Sequence, residues 1–360
     1  MQHASPTNEA LLRQLIDEFA MLLEESSAYQ RIPEVQAILG EARDLALQFR
    51  RRLIPVGGRY VVAFAGLTNV GKSTLLNALL GAEIAPGRNG PCTSTAVEFQ
   101  YGPTYSVTVR TGSILSPYYP CDSVEMLKKY LESHASSQGG SSGSAIKYIQ
   151  VTTPGLPAGM VLADMPGFGA AEDSGETGKH EEALKDYLTH QVSQAFWVVL
   201  AEQFIGRREA GFYDNFLMEK CNDIVVTGSE DMSSRDKSRF QQRCVGKLRP
   251  SLLRFHFVSG KMGCEAHKQG NGKMLEASGV RELGLELQKQ ANVKTRITDV
   301  AESVLSLAKG LTQWQREFSA DHPRFARRDL WRPDSWFRWQ AVTPAFPLKV
   351  QIDNALAAQS

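Results

Sequence analysis

One segment of the sequence has the residue types and spacing to bind a chain of phosphates. It reads Gly66-Leu67-Thr68-Asn69-Val70-Gly71-Lys72-Ser73. Glycines let backbone N–H groups curl round a phosphate, and a helix that follows presents its positive end to it. Lys72 is expected to reach the outer phosphates and the Ser73 hydroxyl to ligate Mg²⁺. Further nucleotide contacts are expected from Gly66, Thr68, Asn69, Val70, Gly71 and Thr74.

A second motif, Asp164-Met165-Pro166-Gly167, ends an apolar run further along the chain. An aspartate at such a point can hold Mg²⁺ through water, and a glycine N–H can touch the terminal phosphate. A plain turn is the alternative interpretation of this tetrapeptide. The position at the tip of a buried strand favours Asp164 as a metal ligand and Gly167 as a phosphate contact.

A threonine-rich loop, Pro91-Cys92-Thr93-Ser94-Thr95, precedes another β-rich run. A threonine there can complete the Mg²⁺ shell when the terminal phosphate is present, which couples the order of the loop to the nucleotide state. We predict Thr93 as this metal ligand, with Thr95 as the reserve. A polar loop without such a role is the alternative.

These motifs need strands and helices to position them. Residues 60–65 form a continuous β-rich run, as expected of a strand buried on both faces, and residues 74–80 have a helical pattern. The alternation of elements predicts an α/β fold with a mostly parallel sheet covered on both faces. Further strands are predicted at 95–101, 105–110, 146–153, 159–164, 195–200, 223–227 and 255–259, and further helices at 122–135, 179–193, 207–219, 234–247 and 280–292.

Apolar stripes of helical period also lie outside the alternating region. Residues 8–53 read as two helices interrupted at Pro33, and residues 293–318 carry a similar stripe. Because neither stripe has a sheet to cover, we expect them to pack together as a small bundle. The predicted domains are an N-terminal helical segment (1–55), a nucleotide-binding domain (56–292), a bundle helix (293–320) and an irregular tail rich in arginine and tryptophan (321–360).

The composition limits which partners and which cellular compartment are expected for this chain. The net charge is +1, so no overall field draws the chain toward nucleic acid, and no nucleic-acid partner is expected. The five cysteines are scattered without a CxxC pair, which fits a reducing, cytoplasmic compartment. The N-terminus lacks the basic start and apolar core of a signal peptide, and no apolar run is long enough to span a bilayer.

Together the motifs resemble the translation-factor-like class of P-loop GTPases and, within it, the dynamin family, in a bacterial-type form without a full stalk. The resemblance covers residues 56–292 and rests on NVGKSTLLNALLG, AEIAPGRNGPCTSTAVEFQYG and IKYIQVTTPGLPAGMVLADMPGFG. It implies GTP as ligand, GDP as product, Mg²⁺, slow intrinsic turnover, and activation when a homodimer forms across the nucleotide face. Immunity-related, septin-like and Era-like ribosome-assembly GTPases share part of this pattern.

Guanine recognition in these families uses a [NT]KxD motif, from which this sequence departs. Thr227 is followed by Gly228 where the lysine belongs and by Glu230 where the aspartate belongs. Asp231 could serve with a slip of one residue. Binding of GTP rather than ATP therefore follows from the resemblance more than from this motif. Ser259 and Gly260 resemble the later loop that contacts the base through its backbone.

Catalysis also departs from the Ras-like pattern, because no glutamine follows Gly167. Members of the wider class hold a monovalent cation with the residue at the position of Asn69, and a K⁺ there would add positive charge between the phosphates. The alternative is that Asn69 only bonds the loop. The candidate catalytic residues are Lys72, Thr93 and Asn69.

The tail segment 324–339 interleaves arginine with aromatic residues. It could fold back over the bundle, meet a membrane interface as a peripheral contact, or dock a partner protein. The chain after the nucleotide domain is too short for both a stalk and a membrane-binding tip, so unaided membrane fission is not expected. A nucleotide-dependent scaffold without turnover and an RNA-associated assembly GTPase remain the alternative functions.

Overall fold

The computed structural model describes residues 8–25, 33–53, 59–86, 95–111, 117–135, 146–167, 177–203, 205–218, 220–245 and 253–321. The chain divides into two compact units. The larger unit comprises residues 55–292, and the smaller unit combines residues 1–54 with residues 293–360.

The larger unit contains a sheet in which nine strands are described, in the order β4-β3-β5-β2-β6-β1-β7-β8-β9. The run β6-β1-β7-β8-β9 is parallel throughout, and β2 pairs parallel with β5. The pairs β2–β6, β3–β4 and β3–β5 are antiparallel. The expectation of a mostly parallel sheet is confirmed. The strands are β1 (Tyr60–Ala65), β2 (Ala96–Tyr101), β3 (Tyr105–Thr111), β4 (Tyr118–Cys121), β5 (Ile146–Thr153), β6 (Met160–Asp164), β7 (Gln194–Leu200), β8 (Asp223–Thr227) and β9 (Arg254–Val258).

Helices α3 to α10 belong to the larger unit, while α1, α2 and α11 belong to the smaller one. Helix α6 continues into a π-helical turn, Tyr213–Leu217. The helices are α1 (Asn8–Glu25), α2 (Pro33–Arg52), α3 (Lys72–Leu80), α4 (Val124–Ala135), α5 (Thr177–His190), α6 (Arg207–Phe212), α7 (Ser234–Val245), α8 (Gly260–Gln269), α9 (Gly272–Ala277), α10 (Val280–Ala291) and α11 (Val293–Asp321).

Strand β1 shows why the sheet is covered on both faces. Successive side chains of a strand point to opposite faces, and every residue of β1 is buried. Val62 and Phe64 enter the core that contains α3 and α10. Val61 and Ala63 enter the opposite core, which contains α5 and the π-helical turn. Burial of each large apolar side chain contributes about 1.5–3 kcal/mol, so the strand is held at the centre of the unit.

The smaller unit is a set of three described helices that share one apolar core. Leu12 and Phe19 of α1, Leu45 of α2, and Val300 and Val304 of α11 are all buried in it. These residues belong to the stripes that the sequence predicted to be helical. No described helix is both long and apolar enough to cross a bilayer. Residues 322–360, which include most of the predicted tail, lie outside the described residues.

Several elements differ from the sequence prediction. Strand β4 and helices α8 and α9 were not predicted, and the helix predicted over 207–219 is α-helical only as far as Phe212. Strand β4 contains Pro120, which is tolerated because β4 is an edge strand of the described sheet. The turn Tyr213–Leu217 widens to π-helical hydrogen bonding and buries Tyr213 and Leu217.

Candidate nucleotide-binding site

The phosphate loop, residues 66–71, connects β1 to α3 and has a backbone that requires glycine at two points. A Cβ atom on Gly66 would lie 2.3 Å from the carbonyl oxygen of Val198 on β7. Gly71, at the N-cap of α3, has a φ of +86°, a left-handed conformation that other residues rarely adopt. Asn69 also has a positive φ, +66°. The loop therefore curls tightly over the carboxyl end of β1.

Lys72 is held inside this curl. Its side chain is buried, and Nζ donates hydrogen bonds to the carbonyl oxygens of Gly66 at 3.1 Å and Leu67 at 2.7 Å. A charged ammonium group loses much hydration when it is buried, so these carbonyl bonds offset part of that cost. The arrangement places a positive charge beside the amino end of α3, where an anion is also favoured by the helix dipole.

Ser73 and Asp164 form a hydrogen-bonded pair of oxygen-bearing side chains in the site. The Ser73 hydroxyl donates a 2.8 Å hydrogen bond to Oδ2 of Asp164, while Oδ1 is buried without a hydrogen-bond partner among the described residues. Burial raises the pKa of the Asp164 carboxyl, and the nearby Lys72 charge and the Ser73 hydroxyl oppose that rise. A hydroxyl and a carboxylate with an unused oxygen fit a hard cation that prefers oxygen ligands, such as Mg²⁺.

The segment after β6 lies directly against the phosphate loop. A Cβ atom on Gly167 would be 2.7 Å from Oγ1 and 2.8 Å from Cα of Thr68. Strand β2 begins beside the end of β6, because the antiparallel register of the two strands pairs Val97 with Asp164. Thr95, just before β2, is therefore near this edge of the sheet. Thr93, the predicted metal ligand, lies outside the described residues.

The end of β8 is bonded to the phosphate loop through Thr227. Its buried hydroxyl donates to the carbonyl oxygen of Val70 at 2.5 Å and also lies 3.1 Å from that of Val199. Gly228 then turns the chain with a φ of +66°. Glu230 and Asp231, the two candidates for reading the base, are exposed in the turn that follows. The structure brings Thr227 to the phosphate loop and leaves both carboxylates at the surface.

The loop after β9 contacts α3. Ser259 caps α8, with its side chain accepting from the N–H of Met262 at 3.3 Å. A Cβ atom on Gly260 would lie 3.0 Å from the backbone nitrogen of Leu75 and 3.2 Å from the carbonyl carbon of Thr74. The glycine therefore permits the start of α8 to pack on the first turns of α3, next to the predicted contact Thr74.

Asn77, which the sequence did not single out, forms hydrogen bonds with the turn after α3. Its Oδ1 accepts hydrogen bonds from the N–H groups of Ile84 and Ala85, both at 2.7 Å, and its Nδ2 donates to Ala85 O at 3.1 Å. The turn leads into the threonine-rich loop. The sequence predicted that Asn77 lies in a helix. It did not predict these hydrogen bonds, because nothing distinguishes Asn77 from any other polar residue of a helix.

A cavity of about 420 Å³ lies beside the first turns of α3. It is lined by Thr74 and Asn77 of α3, by the turn around Pro86, and by residues of α4 and α8 that include several lysines. The cavity adjoins the phosphate loop through Thr74, which directly follows Ser73. The cavity therefore extends from the first turns of α3 to the turn after that helix, between α4 and α8.

Comparison with known proteins finds similarity over part of the chain. Residues 62–223 match the sequence model described as the Dynamin family. A solved oligomerised bacterial dynamin pair, described as sensing and tethering membranes, aligns with 100% of this chain and 66% of its own at 16% identity and a TM-score of 0.48. This chain thus spans less than two thirds of that protein.

A solved variant of Era from Aquifex aeolicus, bound to GDP and aluminium fluoride, aligns with 61% of this chain and 56% of its own at 16% identity and a TM-score of 0.33. No curated protein matches the chain. The residues matched by the family model include the phosphate loop, Lys72, Ser73 and Asp164. Residues 62–223 are therefore similar to the dynamin family over the part of the chain that carries the phosphate loop and Asp164.

Proposed function

We propose that this chain binds GTP with Mg²⁺ and hydrolyses it to GDP, slowly when alone and faster when two copies meet across the nucleotide face. The observation that carries the proposal is the buried Asp164, whose Oδ1 has no hydrogen-bond partner among the described residues. Its Oδ2 is bonded to Ser73 at the start of α3, beside the buried Lys72. A buried carboxylate with an unused oxygen next to a phosphate loop is the feature that a metal–triphosphate complex satisfies.

Each predicted residue has a defined task in this proposal. Lys72 and the N–H groups at the start of α3 bind and orient the phosphates, and the N–H of Gly167 contacts the terminal phosphate. Ser73, Asp164 and Thr93 would hold the Mg²⁺, which would neutralise charge on the phosphate oxygens when bound. Preorganised positive groups of this kind stabilise the charge that develops during phosphoryl transfer.

Guanine recognition would come from the turn after β8. The bond from Thr227 to the carbonyl of Val70 supports the register in which Gly228 takes the family's lysine position. In that register Glu230 takes the aspartate position and accepts from the ring N–H and amino group of guanine, and Asp231 is the reserve. Ser259 and Gly260 would contact the base through the backbone.

The K⁺ proposal rests on Asn69. Its left-handed backbone at φ +66° is an uncommon conformation that Asn adopts more readily than most residues, so the loop geometry alone could explain the residue. Asn69→Gly separates the two interpretations because glycine keeps the conformation and removes the side chain. If Asn69 holds K⁺, turnover of the wild-type chain is faster in KCl than in NaCl, and Asn69→Gly removes the difference. If Asn69 only shapes the loop, the two salts give equal rates.

The proposed function is tested by phosphate release from the purified full chain. We expect turnover with GTP that requires Mg²⁺ and whose rate per molecule rises with protein concentration. A chain that binds GTP but shows no turnover at any concentration would favour the nucleotide-dependent scaffold, for which the glycine at position 228 is the supporting observation. A chain that binds no nucleotide contradicts both.

The contacts proposed for segment 324–339, a partner protein or peripheral attachment at a membrane, fall outside the described residues. Flotation of the chain with vesicles, compared with a chain truncated after Asp321, tests them.

A further inference from the structure

The turn after α3 is held to that helix by a single side chain. The N–H of Ala85 donates to Oδ1 of Asn77 at 2.7 Å, and its carbonyl oxygen accepts from Nδ2 at 3.1 Å. Among the described residues Ala85 has no other hydrogen-bond partner, and it is buried. Buried backbone groups need such partners. Without Asn77 the turn must therefore move until Ala85 reaches water.

Asn77 lies on the face of α3 that also carries Ser73. The two residues are four positions apart, and residues with this spacing are neighbours on the surface of a helix. Ser73 donates its hydrogen bond to Asp164, so this face of α3 points toward the predicted Mg²⁺ ligands. The hydrogen bonds of Asn77 thus attach Ala85 to the same helix face, one turn away from the predicted metal site.

The chain is attached again at the start of β2. Val97 is paired with Asp164 in the antiparallel register of β2 and β6. In the sequence, the segment 86–95 separates Ala85 from the first residue of β2. Its two ends are therefore attached to the elements that carry the predicted metal ligands, at one end to α3 with Ser73 and at the other to β6 with Asp164.

Helix α8 also contacts this turn, through a weaker interaction. Lys268 forms a 2.7 Å ion pair with Glu83, and more than half of each side chain is exposed. Exposed ion pairs contribute little to stability, because water competes for both charges. The buried hydrogen bonds of Asn77 are thus the interaction that fixes the point at which the chain leaves α3.

Resting on the proposed function, we infer that Asn77 is a positioning residue for the proposed metal ligand Thr93. It acts through the turn, by fixing one end of the segment 86–95 beside Ser73, and contacts neither the metal nor the nucleotide. Thr93 is expected to ligate Mg²⁺ only when the terminal phosphate is present. Asn77 therefore raises the affinity for GTP relative to that for GDP.

The test is calorimetric binding, in Mg²⁺, of GDP and of a GTP analogue with an imido bridge between its outer phosphates. We expect Asn77→Ala, in the full chain, to weaken binding of the analogue about 10-fold more than binding of GDP. This is the low end of the usual loss when a group that supports a metal ligand is removed. Asn77→Asp keeps an oxygen for the N–H of Ala85 and loses the donor to its carbonyl, so the same ratio of affinities should fall by less.

Two controls separate positioning from loss of stability. Leu79→Ala removes apolar packing from the same helix and leaves the hydrogen bonds of Asn77 in place. It should lower the melting temperature and keep the wild-type ratio of the two affinities. Lys268→Ala removes the exposed pair with Glu83 from the same turn and should change neither quantity.

The ratio of the two affinities decides the inference. A wild-type ratio in either folded variant of Asn77 would show that the residue only stabilises the fold, and Asn77→Asp alone decides this if Asn77→Ala does not fold. An equal fall of the ratio in Leu79→Ala would assign the effect to general loss of stability and would also overturn the inference. Failure of the wild-type chain to bind either nucleotide would instead remove the proposed function.

Discussion

The Ser73 hydroxyl donates a 2.8 Å hydrogen bond to Asp164, although 91 positions separate the two residues in the chain. The parallel pairing of β1 with β6 produces this contact, because its register sets Phe64 beside Asp164 and the phosphate loop follows β1 directly. Two motifs that are separate in sequence are thereby joined. The remaining oxygen of Asp164 stays buried and without a hydrogen-bond partner among the described residues.

Asp164→Asn tests the metal role of this carboxylate. We expect the Mg²⁺ concentration that supports half-maximal turnover to rise about 10- to 100-fold, the usual loss when a partner of a bound metal is removed. The nucleotide-free chain should melt no lower than wild type, since the change removes a buried charge that lacks a full set of partners. Turnover against Mg²⁺ and thermal melting measure the two effects.

The control for this substitution is Asp122→Asn, which alters an exposed aspartate of the same unit. It should change neither quantity. An Asp164→Asn chain with the Mg²⁺ dependence of wild type would remove Asp164 from the metal site.

Gly167→Ala tests the contact between the segment after β6 and the phosphate loop. The added methyl would meet backbone and side chain of Thr68 at distances under 3 Å, so the segment must move away from the loop. We expect turnover to fall while the fold persists, measured by phosphate release and circular dichroism. Gly211→Ala is the matched control, because a Cβ there meets nothing within 4 Å. Equal turnover in the two variants would show that close contact at Gly167 is not needed.

Thr227→Val removes the hydroxyl that bonds β8 to the phosphate loop and keeps the shape of the side chain. The carbonyl oxygen of Val70 then loses its 2.5 Å partner, which costs about 1–3 kcal/mol for a buried group. We expect lower stability in denaturant and weaker binding of GDP and GTP. Thr227→Ser keeps the hydroxyl and should retain most of both. If Thr227→Ser proves as damaging as Thr227→Val, the methyl group rather than the hydrogen bond matters.

An ion pair away from the site, between a partly exposed arginine and a buried carboxylate, offers a test of the fold. Glu98 of β2 is fully buried and accepts from Arg59 at 2.5 Å and from the Tyr187 hydroxyl at 2.8 Å. Arg59→Met would leave this carboxylate without its cation and should destabilise the larger unit by about 3–5 kcal/mol. The double variant Arg59→Met/Glu98→Gln should recover much of the loss.

Guanidinium chloride unfolding measures these stabilities. Arg281→Met is the control, because its pair with Glu276 is more than half exposed and should contribute no more than about 1 kcal/mol. If Arg59→Met and Arg281→Met lower the stability equally, burial does not strengthen the role of the Arg59–Glu98 pair.

The elements that carry the phosphate loop could be predicted because their sequences are locally unambiguous. The run 60–65 is uniformly apolar and β-rich, and the glycines and lysine that follow have a spacing with one main physical meaning. The stripes of α1, α2 and α11 were equally clear, since they bury large residues such as Phe19 and Val304 at helical spacing.

Helix α8 could not be predicted in the same way. Its buried residues are Gly260, Gly263 and Ala266, which give no apolar period because the helix packs on α3 through small residues. Strand β4 was hidden by its short length and by Pro120. The bonds from Thr227 to Val70 and from Asn77 to the turn after α3 join residues whose contacts only the folded chain defines.

Two measurements on the wild-type chain and on Lys72→Ala test the central claim most directly. Calorimetry with Mg²⁺ measures the binding of GTP and ATP, and phosphate release measures turnover. The account predicts that wild type binds GTP in preference to ATP and hydrolyses it. Lys72→Ala should lose more than about 30-fold in affinity, since a buried charge contact is removed, while Lys129→Ala, at an exposed lysine of α4, behaves as wild type. A Lys72→Ala chain that binds and hydrolyses GTP like wild type would contradict the account.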